Sequence, residues 1–139
     1  MVRLWVPAVL LLTLAVLVAT RARASVEAES LYTKAQTYNA ALRYLRVDLG
    51  YEVTEKDPDA AYLLFRLSPE GKKTQVSGSF EIVEQKDSVR FYVRLPELPT
   101  YREAVLSDGL LKKLRTEYGE PPRRQAPKPR PENSPDGGR

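Results

Sequence analysis

The sequence predicts one α+β domain, in which a four-stranded antiparallel meander carries an N-terminal and a C-terminal helix on one face. Apolar and polar residues alternate with a period of two over 74–95, which is typical of strands with one buried face. Apolar residues recur every three or four positions in 26–49 and 100–118, which is typical of helices. Short turns between the strands favour antiparallel neighbours, so we expect a two-layer sandwich.

The first helix is predicted over residues 26–49. Its apolar stripe consists of Leu31, Ala35, Tyr38, Leu42, Leu45 and Leu49. Gly50 is placed to end the helix, because glycine readily adopts the left-handed conformation that follows a helix C-terminus. Fewer than three heptads fit in this segment, so a helix packed on a sheet is favoured over a coiled coil.

Four strands are predicted to follow. They span 51–56, 60–67, 74–84 and 88–95. Pro58 and Pro69 lie in turn-forming segments between them, where proline presets the backbone angle of the second turn residue. Phe80 and Phe91 are in phase with aliphatic neighbours, and we predict that they pair across the last two strands on the buried face.

The second helix is predicted to begin at Thr100. Thr100 and Glu103 have the spacing of a capping box, in which each side chain accepts a hydrogen bond from the other residue's amide. Gly109 follows Ser107 and Asp108, and this polar, flexible stretch predicts a kink or break in the helix.

Residues 1–24 have the pattern of a secretory signal peptide. Arg3 precedes an apolar run, and Ala22-Arg23-Ala24 resembles a cleavage site. The run is shorter than the ~20 residues of a spanning helix, which favours cleavage after Ala24 over the alternative, a retained membrane anchor. The mature protein is therefore predicted to be periplasmic or extracellular, with the leader contacting the membrane only before cleavage.

Residues 121–139 form a Pro/Arg-rich segment that we predict to be disordered. It contains six of the eleven prolines and no large apolar residue, so it has little to bury. It is either an inert solubilising tail or a stiff basic arm that binds weakly to an acidic surface such as anionic lipid. The folded domain is then 25–120.

Composition excludes several classes of function. The chain has no His and no Cys, which removes the usual general base, the thiol nucleophile and the commonest zinc ligands. We therefore predict no catalytic residues, no metal and no cofactor. Asp57 and Asp59 offer too few oxygens for calcium and are interpreted as turn formers. Residues 25–120 carry a net charge of −2, which does not suit a nucleic-acid partner.

The polar face of the sheet is the best candidate for a binding surface. Its predicted residues are Tyr62, Leu64, Ser77, Ser79, Tyr92 and Arg94. Pairing Phe80 with Phe91 places the two serines opposite Tyr92 and Arg94. The small serine side chains then lie between larger side chains of the neighbouring strands. Small residues flanked by aromatic ones form a shallow groove that suits recognition. The alternative is a solvated face held by cross-strand pairs such as Glu81–Arg90.

These patterns predict a small exported binding or adaptor domain that is not an enzyme. Its partner would be an unidentified envelope protein or polymer. Two alternatives remain open: a hydrolase-type enzyme with its site on the same face, and a self-associating structural protein of the envelope.

Overall fold

The computed structural model describes residues 25–121. Its elements are β1 (Val26–Ser30), α1 (Lys34–Arg43) with a π-helical turn (Tyr44–Asp48), β2 (Glu52–Asp57), β3 (Tyr62–Leu67), β4 (Val76–Gln85), β5 (Ser88–Arg94) and α2 (Thr100–Tyr118). The predicted signal peptide lies outside the described residues, as does the predicted tail beyond Pro121. Within 25–121, no helix is both long enough and apolar enough to cross a bilayer.

The strands form one antiparallel sheet in the order β1-β5-β4-β3-β2. The α+β class and the meander of β2 to β5 are confirmed, but the predicted count of four strands is wrong. Residues 26–30 do not start the first helix; they form β1, which pairs with β5 from Val26 opposite Val93 to Ser30 opposite Val89. This pairing satisfies the backbone groups that β5 would otherwise leave at an open edge.

Helix α1 begins eight residues later than predicted, after Thr33. The Thr33 side chain accepts from the Gln36 amide at 3.1 Å, and the Gln36 side chain accepts from the Thr33 amide at 3.1 Å. This is a capping box. Leu31 therefore lies before the helix, and it is 49% exposed instead of joining the predicted stripe.

The core lies between one face of the sheet and the two helices. The largest fully buried apolar side chains are Phe65, Phe80, Phe91, Leu45, Leu63, Leu110, Leu114 and Val93. The ring of Phe80 lies between those of Phe65 and Phe91, at centroid distances of 5.9 and 6.3 Å. The assignment of both Phe80 and Phe91 to the buried face is thus confirmed.

The predicted pairing of Phe80 with Phe91 is wrong by two residues. Phe80 lies opposite Val93, and Phe91 lies opposite Ile82. The cause is the hairpin, which closes at Gln85 opposite Ser88 through a two-residue turn. A shift of two residues preserves the faces of both strands because side chains alternate with a period of two.

Helix α2 runs without interruption, so the predicted break at Gly109 is wrong. A Cβ atom at Gly109 would lie 1.8 Å from the hydroxyl oxygen of Tyr44, so glycine here leaves room for the side chain of this residue of the π-helical turn. The predicted capping box is also wrong, since the helix is capped at Pro99 without a side-chain bond. Glu103 instead turns inward, and its Oε1 accepts from the Leu95 amide at 2.7 Å.

Candidate functional site: the open face of the sheet

All six predicted binding residues lie on the sheet face that points away from α1 and α2, which we call the open face. Tyr62, Ser79 and Tyr92 are partly exposed there, and Ser77, Leu64 and Arg94 are exposed. The residues between them on the same strands point into the core. Both described helices pack on that inner side, so the open face is uncovered by any described element.

The neighbours on the open face differ from those predicted, again by two residues. Ser79 lies between Leu64 on β3 and Arg94 on β5. Tyr62 and Tyr92 instead flank Glu81. The two tyrosines and the two serines therefore occupy different rows of the sheet.

The rows of the open face have distinct chemistry. Ser79 forms one row with Leu64 and Arg94, and Ser77 lies in the next row, opposite Arg66 of β3. The tyrosine row has a carboxylate at its centre. The face therefore combines a row in which two tyrosines flank a glutamate with two rows in which a serine lies opposite an arginine.

Tyr62 is held in place by β2. Its hydroxyl donates a hydrogen bond to Oε1 of Glu55. This bond raises the pKa of Tyr62 above its ordinary value, because it is lost when the phenol loses its proton, and the nearby carboxylates of Glu55 and Asp57 act in the same direction. The ring is thus fixed at the β2 side of the open face.

Ion pairs cross the open face between neighbouring strands. Arg90 contacts Glu27 of β1 at 2.6 Å, and Arg94 approaches Glu81 of β4 to 4.0 Å. The predicted Glu81–Arg90 pair is replaced by these two contacts. Exposed pairs of this kind add at most about 1 kcal/mol each to stability, so they orient side chains more than they hold the sheet together.

A cavity of about 510 Å³ lies at the N-terminal end of α1, beside the turn between β2 and β3. Its lining includes Lys34, Tyr38, Asn39, Asp59 and Glu84. Lys34 Nζ donates to the Asp59 carbonyl at 3.0 Å. Tyr38 is only 6% exposed, and its hydroxyl has no hydrogen-bond partner among the described residues. Burial raises the pKa of Tyr38, and the charge of Asp57 raises it further.

Sequence reasoning missed this cavity because Tyr38 fits the apolar stripe of α1. The interpretation of Asp57 as a turn former is supported by its hydrogen bonds. Its Oδ1 accepts from the amides of Asp59 at 2.9 Å and of Ala60 at 2.8 Å. Within residues 25–121, no group of three or more acidic side chains is placed to hold a metal ion.

Comparison with known proteins adds little to this site. No protein-family model matches the sequence, and no curated protein matches it. The fold is similar to that in the crystal structure of Ara h 8.0201, which is 11% identical in sequence. The similarity covers 67% of this chain and 94% of that chain, with a TM-score of 0.44.

Proposed function

We propose that this chain is a small exported binding or adaptor domain without catalytic activity, and that it acts through the open face of its sheet. The observation that carries the proposal is the exposure of Tyr62 and Leu64 on β3 and of Tyr92 on β5, the two strands that flank β4 in the five-stranded sheet. The strands hold these side chains on a rigid frame, while the helices bury the opposite face.

The chemistry of the open face suits protein or polymer recognition. Tyrosine and arginine are enriched among the residues that dominate binding energy, because each combines apolar area with hydrogen-bonding groups. Tyr62 and Tyr92 flank Glu81, and Arg94 contacts Glu81, so polar groups lie directly beside apolar ones. We propose an envelope protein or polymer as the partner.

The serines of the open face support binding over hydrolysis. Ser79 lies between Leu64 and Arg94, and Ser77 lies opposite Arg66. Arginine stays protonated at physiological pH and cannot act as the general base that a serine nucleophile requires. We therefore interpret the serines as small polar residues that let a partner approach the sheet closely.

Affinity capture from the envelope of the source cell tests this proposal. The bait is the chain from Ser25 onward, compared with the double variant Tyr62→Ser/Tyr92→Ser. We expect the double variant to lose the captured partner and to keep its fold, because both side chains are partly exposed. Circular dichroism and the melting temperature check the fold.

A matched control is Tyr101→Ser, which removes a tyrosine that is 62% exposed on α2, away from the open face. It should retain the partner. Capture that survives the double variant would contradict the proposal. Capture of the chain itself, with a dimer mass in solution, would support the self-associating structural protein instead.

A further inference from the structure

The charges of the open face are predominantly acidic. The register of the five strands places more carboxylates than cations on this face. The acidic residues are Glu27, Glu29, Glu52, Glu55, Asp57 and Glu81, and the basic residues are Arg66, Arg90 and Arg94. A positively charged partner is therefore favoured over an acidic one, because complementary charges attract and like charges repel across an interface.

The tyrosine row extends across all five strands and alternates acidic and aromatic side chains. Asp57 of β2 lies opposite Tyr62 of β3, and Tyr62 lies opposite Glu81 of β4. Glu81 lies opposite Tyr92 of β5, and Tyr92 lies opposite Glu27 of β1. Each tyrosine of the row therefore has an acidic residue on both sides.

The centre of the tyrosine row suits a cationic side chain. Neighbouring strands lie ~4.8 Å apart, so the positions of Tyr62 and Tyr92 are separated by roughly 9.6 Å across Glu81. A charged group above Glu81 is then about 5 Å from each tyrosine position, within the ~6 Å reach of cation–π contacts. Arginine fits best, because its planar guanidinium pairs with a carboxylate through two hydrogen bonds and also stacks on aromatic rings.

The carboxylates of this part of the face are only weakly neutralised. Arg94 approaches Glu81 to 4.0 Å, and the side chains of the two residues are 57% and 51% exposed. An exposed pair at this distance is weak, so a cation of a partner can compete for the Glu81 carboxylate. Within residues 25–121, neither Glu55 nor Asp57 forms an ion pair. The excess of negative charge is thus concentrated around Tyr62.

We infer that the partner of the open face is a basic protein that inserts an arginine side chain between Tyr62 and Tyr92, where its guanidinium pairs with Glu81. This inference rests on the function proposed above, in which the open face binds a component of the envelope. The two rings contribute apolar area and cation–π contacts, and the carboxylates of Glu55 and Asp57 attract further positive charge of the partner.

A nuclear magnetic resonance titration of the chain from Ser25 onward tests this inference. The probe is a tetra-arginine peptide with acetylated and amidated ends, and its neutral counterpart has citrulline in place of every arginine. We expect tetra-arginine to shift the amide signals of Tyr62, Glu81 and Tyr92. It should bind at least about fivefold more tightly than the citrulline peptide, because citrulline retains the shape of arginine without its charge.

Two variants on β4 locate the charge that the peptide needs. Glu81→Gln removes the central carboxylate and should weaken the binding of tetra-arginine about fivefold. Glu84→Gln makes the same change at an exposed residue of the same strand outside the open face, and it should leave the affinity nearly unchanged. Equal affinity for the two peptides, equal weakening in the two variants, or shifts only outside the tyrosine row would overturn the inference.

Affinity capture distinguishes a failure of this inference from a failure of the proposed function. If Tyr62→Ser/Tyr92→Ser loses the captured partner but tetra-arginine does not bind the tyrosine row, the arginine is overturned and binding through the open face stands. If capture survives the double variant, both are overturned. Signals of the row that shift with protein concentration in the absence of peptide would assign the face to a second copy of the chain, which also overturns the inference.

Discussion

Replacing Phe91 with Ala is expected to lower the free energy of unfolding by about 3–5 kcal/mol. The side chain is fully buried, and its ring contacts Phe80 at a centroid distance of 6.3 Å. Strand β5 lies between β1 and β4, so the cavity would open where the sheet meets the helices and could not collapse easily. Domains of this size have a total stability of about 5–15 kcal/mol, so urea unfolding should show a large shift of the midpoint.

The control for this change is the neighbouring residue on the open face. Tyr92→Ala removes a side chain of similar size from the same strand, and we expect a loss of about 1 kcal/mol or less, since Tyr92 is partly exposed. Equal losses from Phe91→Ala and Tyr92→Ala would contradict the assignment of the sheet faces.

A second large effect is expected from Gly78→Ala on β4. A Cβ atom there would lie 2.6 Å from Leu95 Cδ2 and 2.6 Å from Phe65 Cζ, which is too close for carbon atoms. Phe65 cannot move away freely, because its ring is stacked on Tyr51 at a centroid distance of 5.9 Å. Overpacking of this kind costs about 1–3 kcal/mol, which chemical denaturation should detect.

Two further variants separate overpacking from a general effect on the strand. Ser77→Ala changes the adjacent position, whose side chain is on the open face, and it should be nearly neutral. Phe65→Leu combined with Gly78→Ala should recover part of the loss, because the smaller side chain makes room for the new methyl group. A neutral Gly78→Ala would show that the Phe65 ring does not lie over the glycine.

The meander could be predicted because its alternation is regular and its turns are short. Gly78, Phe80 and Ile82 point inward on β4 as the period of two requires, and Phe91 does the same on β5. The exact pairs could not be predicted, since the turn Lys86-Asp87 contains no glycine to fix the register. A shift of two residues exchanges neighbours but leaves the burial of each residue unchanged.

The first strand was missed because its composition favours a helix. Alanine and glutamate dominate 27–29, and helix propensity outweighed a short alternation in which Glu27 and Glu29 point outward. The spacing of Thr33 and Gln36 is a signal that could have located the true helix start. The pairing of residues 26–30 with β5 is a long-range contact, which cannot be predicted from local secondary-structure propensity.

The candidate site could be predicted only in part from the sequence. The alternation placed Tyr62, Leu64 and Tyr92 on the open face, and the structure agrees. The bond between Tyr62 and Glu55 depends on the β2–β3 register, which shifts between Val53 and Glu55, and no local sequence pattern predicts that shift. The burial of Glu103 could not be predicted from the sequence either. Its bond to the Leu95 amide joins two parts of the chain whose relative position only the fold determines.

Photo-cross-linking at position 64 tests the open face as the binding surface most directly. Leu64 is 36% exposed near the centre of that face, and Val105, 58% exposed on α2, provides the matched position. The photoreactive amino acid p-benzoylphenylalanine replaces either residue, and the protein is irradiated in the cells that produce it. We expect a covalent adduct with a partner from position 64 and none from position 105. An adduct from position 105 alone, or from neither position, would contradict binding through the open face.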